Sequence, residues 1–302
     1  MQLYELVKRN IRIYFRDKGA VFFSLLSMLI IIALMLFFLG DMYAKSIMSA
    51  LGELPNRDAA ADEANAVIYV LQWMAAGIVS INAVTVTLAV YSAMIKDRSE
   101  GRLSSIYTAP VSRLTIAGSY IIAAWICSVI VCIITLIISE IYCIIQGGAA
   151  YSLTEHLQLL GMICVNSFTY AALMYLIAML AKTEGAWSGI GTVVGTLVGF
   201  LGGIYIPIGN FSDSIAAVLK FTPVIYGTKT FRSIMTQSAQ TATFDGAPEE
   251  MVTVFRSELG TDLDFFGAEV SDLGAVIVLL VCGAAFLIAG ALVTKYAKKT
   301  DR

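Results

Sequence analysis

Six long apolar stretches constrain the fold more than any other feature of this sequence. They occupy residues 20–40, 67–95, 114–145, 157–181, 186–206 and 273–294, and Glu140 is the only charged residue within them. A helix of about 20 apolar residues crosses the hydrocarbon core of a bilayer. Backbone groups in lipid must form hydrogen bonds within their own segment. The stretches therefore predict an all-α integral membrane protein with six transmembrane helices in a single transmembrane domain, residues 1–302.

The composition agrees with this fold class. Hydrophobic residues make up 58% of the chain and charged residues 14%, whereas soluble domains carry about 45–50% and about 25%. The five cysteines all lie in apolar stretches, so we expect buried small side chains rather than disulfides or metal ligands. A net charge of −2 argues against a nucleic-acid partner, and a single histidine argues against a zinc site.

The basic residues predict how the chain crosses the membrane. If the N-terminus is cytoplasmic, 14 of the 20 Lys and Arg residues fall on the cytoplasmic side, in short segments. Short cytoplasmic segments of membrane proteins are enriched in Lys and Arg. We therefore expect a multi-pass protein of a bacterial plasma membrane with both termini in the cytoplasm.

The N-terminal segment, residues 1–18, has a helical pattern of its own. Leu3 and Val7 fall on one side, and Lys8 and Arg12 fall on the other. A helix with one apolar and one basic face lies in the membrane interface, so the pattern predicts an interfacial helix.

The longest polar segment, residues 207–272, is a predicted extracellular helical loop. It contains a short amphipathic stretch at 215–221, broken by a proline, and a predicted helix at 248–259 with a proline at its start and acidic residues in its first turn. The sequence does not assign a role to the acidic part, residues 237–272, or to Glu140.

The second and fifth stretches contain residues that lipid alone does not explain. Asn82 and Thr85 are polar, and unsatisfied polar groups are costly in lipid, so these side chains face neighbouring helices or a cavity.

Four glycines recur at every fourth position of the fifth stretch: Gly191, Gly195, Gly199 and Gly203. Such a ridge lets another helix approach closely. It is consistent with packing within the chain, with contact to a second copy, or with the lining of a pathway.

The connection between the second and third stretches, residues 91–113, combines charged residues, a glycine and a short amphipathic segment. Leu103, Ile106 and Tyr107 give this segment one apolar face. The connection resembles the coupling segment of the ABC-2 permease family, the membrane subunits of type-2 ABC exporters. The residues that carry the resemblance are Lys96, Asp97, Arg98, Glu100, Gly101, Leu103, Pro110 and Arg113. The order of the parts along nearly the whole chain is similar as well.

The resemblance implies a partner subunit. In the family this segment is a short coupling helix that rests on a separate ABC ATPase subunit, which binds ATP and magnesium, so this chain needs no cofactor of its own. The coupling residues implied here are Lys96, Asp97, Arg98, Glu100, Gly101, Arg102, Leu103, Ile106, Tyr107 and Arg113.

The resemblance also implies a second permease copy or a paralogue, with the second and fifth helices lining a path at the interface. The outer loop would then form an extracellular gate. The implied path and interface residues are Asn82, Thr85, Gly191, Gly195, Gly199, Phe200 and Gly203.

These observations favour an export permease for an amphipathic drug, peptide or lipid-like substrate, powered by the partner ATPase. The chain lacks the Gly-rich phosphate loop followed by Lys and Ser or Thr, and it shows no cluster of catalytic groups at one membrane depth. We therefore do not expect an enzyme. The alternatives are an ion-coupled secondary transporter, which needs the buried charges that this chain lacks, and a non-transporting membrane sensor or anchor.

Overall fold

The computed structural model describes residues 2–34, 40–52, 54, 57–102, 111–265 and 267–296. The helices of this part are α1 (Gln2–Arg16), α2 (Lys18–Leu34), α3 (Gly40–Leu51), α4 (Ala59–Ser99), α5 (Arg113–Ile145), α6 (Leu153–Leu180), α7 (Glu184–Leu201), α8 (Asp213–Lys220), α9 (Pro223–Met235), α10 (Gln237–Thr243), α11 (Glu249–Glu258) and α12 (Asp272–Tyr296). A 3₁₀ turn at Ile208–Asn210 and a small antiparallel hairpin of β1 (Asp264–Phe265) and β2 (Ala268–Glu269) complete the described elements.

Four helices in the described part are long and apolar enough to cross a membrane: α4, α5, α6 and α12. The other two predicted spans coincide with α2, of which 17 residues are described, and with α7, which has 18 residues. The structure therefore supports a helical, multi-pass membrane protein, and the count of six spans stays a prediction.

Helix α4 is the centre of the bundle. It packs against α2, α3, α5, α6, α7, α9 and α10. Most of its middle is buried, including the large side chains Trp73 and Tyr91. Helix α12 lies at the periphery, where Leu273, Ile277 and Val281 are exposed. A helix that is apolar all round is either buried in protein or faces lipid, and this bundle contains both kinds.

Local signals fix where the long helices begin. The Ser152 hydroxyl accepts a hydrogen bond from the Glu155 N–H, and the Glu155 carboxylate accepts one from the Ser152 N–H, which forms a capping box at the start of α6. Ser112 and Asp58 cap α5 and α4 in a similar way. Caps of this kind contribute about 1 kcal/mol each.

The N-terminal segment forms helix α1, which packs against α5. Val7 and Tyr14 are buried, whereas Arg12 and Arg16 are exposed. The helix is amphipathic as its sequence predicts, and its position in the membrane interface stays a prediction.

The predicted outer loop is folded into four helices and the hairpin. Pro223, predicted to break the amphipathic stretch, occupies the first turn of α9, where a missing N–H costs little. The acidic part packs onto the N-terminal part of α4. The Phe244 ring lies 5.8 Å from the ring of Tyr69 in this helix and 5.4 Å from the ring of Phe255. Its charges are partly paired, as in the Arg256–Asp262 ion pair at 2.7 Å.

The fifth apolar stretch ends as a helix at Leu201 rather than at the predicted residue 206. Gly203 follows with φ of +62°, a conformation that glycine adopts without strain. The chain then turns back, so that a Cβ on Gly199 would overlap the Tyr205 ring. Glycine at these two positions permits this turn.

Candidate functional site

A buried carboxylate lies where the N-terminal helix meets the predicted coupling segment. Asp97, near the end of α4, is buried. Its Oδ2 accepts hydrogen bonds from Arg9 Nη2 at 2.8 Å and from the Tyr120 hydroxyl at 2.7 Å. Arg102 Nη1 lies 3.7 Å from its Oδ1. The Asp97 cluster, defined as Asp97 with Arg9, Tyr120 and Arg102, therefore joins α1, α4 and α5.

Neighbouring contacts strengthen the junction of α1 with α5. Asn10 is buried, accepts a hydrogen bond from Arg9 Nη1 at 3.0 Å and donates one to the Ser119 hydroxyl at 3.3 Å. Burial lowers the pKa of the Arg9 guanidinium, but the hydrogen bond and charge of Asp97 raise this pKa by more, so the net shift is upward. Arg9 is thus held in its charged form against a charged partner.

The end of α4 is also tied to the connection between α6 and α7. Arg98 Nη1 donates a hydrogen bond to the Ala181 carbonyl at 3.0 Å, and the Ser99 hydroxyl donates one to the Glu184 carboxylate. A displacement of this end of α4 would therefore be passed to α1, α5, α6 and α7.

The predicted coupling residues divide into two groups. Asp97 and Arg98 face inward and hold helices together. Lys96, Glu100, Arg102 and Arg113 are exposed, and Gly101 ends the helix with φ of +72°. Arg102 also pairs with Glu100. Leu103, Ile106 and Tyr107 lie outside the described residues, so the apolar face of the coupling helix stays a prediction.

Of the two predicted path residues of α4, Asn82 bonds to another helix and Thr85 bonds within its own helix. Asn82 is fully buried, and its Nδ2 donates to the Thr135 hydroxyl of α5 at 2.8 Å. The Thr85 hydroxyl bonds to the Asn82 carbonyl at 3.3 Å. A second buried link joins the Asn166 amide to the Ser80 carbonyl at 3.0 Å. These contacts give the Asn82 amide and the Ser80 carbonyl partners within the bundle. The assignment of Asn82 and Thr85 to a translocation path stays a prediction.

The glycines of the fifth stretch also divide into two groups. Gly199 and Gly203 pack inside the chain, as described above. A Cβ added to Gly191 would lie 3.4 Å from the Leu88 side chain, whereas a Cβ added to the exposed Gly195 would enter open space. Phe200 is exposed on the same helix, with its ring 5.0 Å from that of Tyr205. Val193, Leu197 and Phe200 share one exposed face of α7, which we call the outer face of α7 and which is available to a neighbour. Gly195 is exposed on the opposite side of the helix.

A buried arginine in α9 was not expected from the sequence. Arg232 is fully buried, donates to the carbonyls of Leu259 and Gly203 at 2.9 and 2.8 Å, and stacks 4.0 Å from the centroid of the Trp73 ring. Trp73 Nε1 donates to the same Leu259 carbonyl at 2.8 Å. Arg232 therefore fastens the turn after α7 and the end of α11 to α4.

Burial lowers the pKa of Arg232 to about 9, which leaves the guanidinium charged at neutral pH. Its partners are carbonyl dipoles and an aromatic ring, which stabilise a cation without neutralising it. The sequence gives no signal for this contact, because the two carbonyls belong to segments distant along the chain from Arg232, and periodicity within one segment does not show which other segment covers it.

Within the described part of the chain, no group of three or more His, Cys, Asp or Glu side chains is placed to hold a metal ion.

Taken together, the apolar helices and the polar junction near the C-terminal end of α4 define a multi-pass α-helical membrane protein. Residues 52–293 match the family described as ABC-2 family transporter protein, and the chain belongs to this family. It is therefore an ABC-2 type permease, a membrane component that generally works with an ATPase subunit and is itself generally non-catalytic. The family does not favour an ion-coupled carrier or a sensor. A comparison with curated proteins found no match.

Proposed function

We propose that this permease exports an amphipathic drug, peptide or lipid-like substrate across a bacterial plasma membrane, with ATP hydrolysed by a separate ABC ATPase subunit. The observation that supports this most directly is the Asp97 cluster. It lies at the start of the predicted coupling segment, and it links the segment to α1 and α5 through buried hydrogen bonds.

The proposed coupling surface consists of the exposed residues Lys96, Glu100 and Arg102 together with the apolar face of residues 103–107. An amphipathic helix can insert its apolar face into a groove on a partner, and flanking charges set its orientation. Closure of two ATPase subunits around ATP and magnesium would push this surface. Asp97 and Arg98 would carry the motion into α1, α5, α6 and α7, because these helices are bonded to the end of α4.

The proposed subunit interface is the outer face of α7, which would meet a second copy of this chain or a paralogue. Lipid provides little hydrophobic drive for helix association, so close packing of Val193, Leu197 and Phe200 against the neighbour has to provide it. Motion of α7 at such an interface would open and close the path. The Arg232 contacts fix the outer turn that follows α7, so we assign residues 207–272 to the extracellular gate.

The test is co-purification with each ABC ATPase of the host genome, followed by Glu100→Ala and Leu103→Asp. Both variants should reduce the amount of ATPase retained and the substrate-stimulated ATPase activity in vesicles. Glu63→Ala, an exposed acidic change in the first turns of α4 and outside both the coupling segment and residues 207–272, is the control and should leave both unchanged. Full retention of the ATPase by both coupling variants would refute the docking surface.

Orientation is tested separately with cysteines introduced at positions 96 and 249 in a background without other accessible thiols. A membrane-impermeant maleimide applied to intact cells should label position 249 only. Labelling of position 96 from outside would reverse the predicted topology and the export direction with it.

A further inference from the structure

A cavity of about 340 Å³ lies between the outer helices and the last span. Its lining is apolar except for one lysine and one tyrosine. The residues are Lys220, Phe221, Pro223, Tyr226, Phe265, Val270, Gly274, Val278 and Cys282. The Tyr226 hydroxyl already donates to the Lys220 carbonyl at 2.7 Å. Lys220 is the only ionic residue among these lining residues.

The cavity is a groove that follows α12. Gly274, Val278 and Cys282 are four residues apart and share one helix face. At 1.5 Å per residue they extend over about 12 Å, close to half of the roughly 30 Å hydrocarbon thickness of a bilayer. The adjacent exposed face of α12 carries Ile277 and Val281. Since α12 spans the membrane, the groove opens sideways to the acyl chains of one leaflet.

Lys220 lies at the polar end of this groove. Its Nζ is 3.5 Å from Asp264 Oδ2, whereas a charge-assisted N–H···O bond is about 2.7–2.9 Å long. An ammonium carries three donors, and in the described part of the chain this carboxylate is its only ionic partner. The exposed Phe221 ring meets the Phe265 ring at 5.8 Å beside it. A cation next to an aromatic pair at a membrane surface is suited to a lipid headgroup.

We infer that this groove binds one acyl chain of a membrane phospholipid whose phosphate pairs with Lys220. The length of the groove, its apolar lining and its single cation match the two parts of such a lipid. We assign this lipid to the outer leaflet, and that assignment rests on the orientation given under the proposed function. Binding itself does not depend on transport.

The experiment measures lipid retention by native mass spectrometry of the purified, delipidated full-length chain. Dioleoyl phosphatidylglycerol and dioleoylglycerol are compared, because they share acyl chains and differ in the phosphate. Wild type should retain the phospholipid more strongly. Lys220→Gln should weaken phospholipid binding about fivefold, the factor expected for one lysine near anionic lipid, and should leave dioleoylglycerol unchanged.

Val278→Trp fills the groove and should abolish retention of both lipids, whereas Ile277→Trp on the neighbouring exposed face is the matched control and should retain both. Thermal unfolding of each variant shows whether it is folded; if Val278→Trp is not, Gly274→Leu replaces it. Equal phospholipid retention by wild type and a folded groove variant would overturn the inference. An unchanged affinity in Lys220→Gln would overturn the phosphate contact. Because no ATPase or nucleotide is present, failure of the coupling surface would leave these results unaffected.

Discussion

Replacing Asp97 with asparagine tests whether this residue holds the permease together or docks the ATPase. The side chain keeps its shape and an acceptor oxygen but loses its charge. A hydrogen bond to a charged group contributes about 1.5–3 kcal/mol. The Arg9 side chain is 33% exposed, so water screens part of its interaction with Asp97 and the lower part of this energy range applies. We expect Asp97→Asn to lower the free energy of unfolding by about 2 kcal/mol.

Asp97→Ala should cost more, about 3 kcal/mol, because the buried Tyr120 hydroxyl also loses its acceptor. The assay is unfolding of the isolated permease in mixed micelles by titration with SDS. A double-mutant cycle of Asp97→Asn with Arg9→Gln should give a coupling energy of about 1 kcal/mol. The exposed change Arg12→Gln, on the same helix, is the matched control and should not couple to Asp97.

Two results would refute this reasoning. Additivity of the Asp97 and Arg9 changes within about 0.5 kcal/mol would mean that the hydrogen bond contributes nothing to stability. Unchanged stability of Asp97→Asn together with loss of ATPase binding would mean that Asp97 is a docking residue.

Substitutions at Arg232, Gly199 and Glu140 test three other parts of the structure. Arg232→Lys should destabilise the chain by about 3 kcal/mol, because a lysine cannot bond both carbonyls in the planar geometry of a guanidinium. Thermal unfolding measures this loss of stability. A loss below about 0.5 kcal/mol would contradict the anchoring role. Gly199→Ala should cost about 1–3 kcal/mol through overlap with a neighbouring ring, whereas Gly195→Ala should stay within about 0.5 kcal/mol; equal unfolding temperatures would contradict the placement of the turn. Glu140→Ala removes the acceptor of the Tyr151 N–H, at 2.9 Å, and should cost about 1–3 kcal/mol, with Glu140→Gln costing less. Faster hydrogen exchange of that amide would accompany the loss, and unchanged exchange would exclude the contact.

The sequence alone assigns no role to Glu140, but the structure shows what this side chain contacts. Its two carboxylate oxygens accept the Tyr151 N–H and contact His156 Nε2 at 3.0 Å. His156, the single histidine of the sequence, lies in the first turns of α6. The contact between Glu140 and His156 joins the end of α5 to the start of α6.

Local rules determined much of this protein from the sequence alone. Apolar stretches of about 20 residues cannot be hidden from water by a small chain, and in lipid only helices satisfy their backbone. The same kind of rule gave the amphipathic helix at residues 1–18 and the helix at 248–259, because caps and periodicity act over a few residues. The order of residue types in the connection at residues 91–113 indicated the family.

Only the tertiary structure decided which polar residues face inward. Asp97 was expected on a docking surface but is buried against Arg9, which is 88 positions away in the sequence. Arg232, which no sequence pattern singles out, is fully buried against the backbone of Gly203 and Leu259. Periodicity tells which side chains share a face of one helix, but not which distant segment covers that face. That depends on how the helices pack around α4, where buried polar groups must find partners or remain costly.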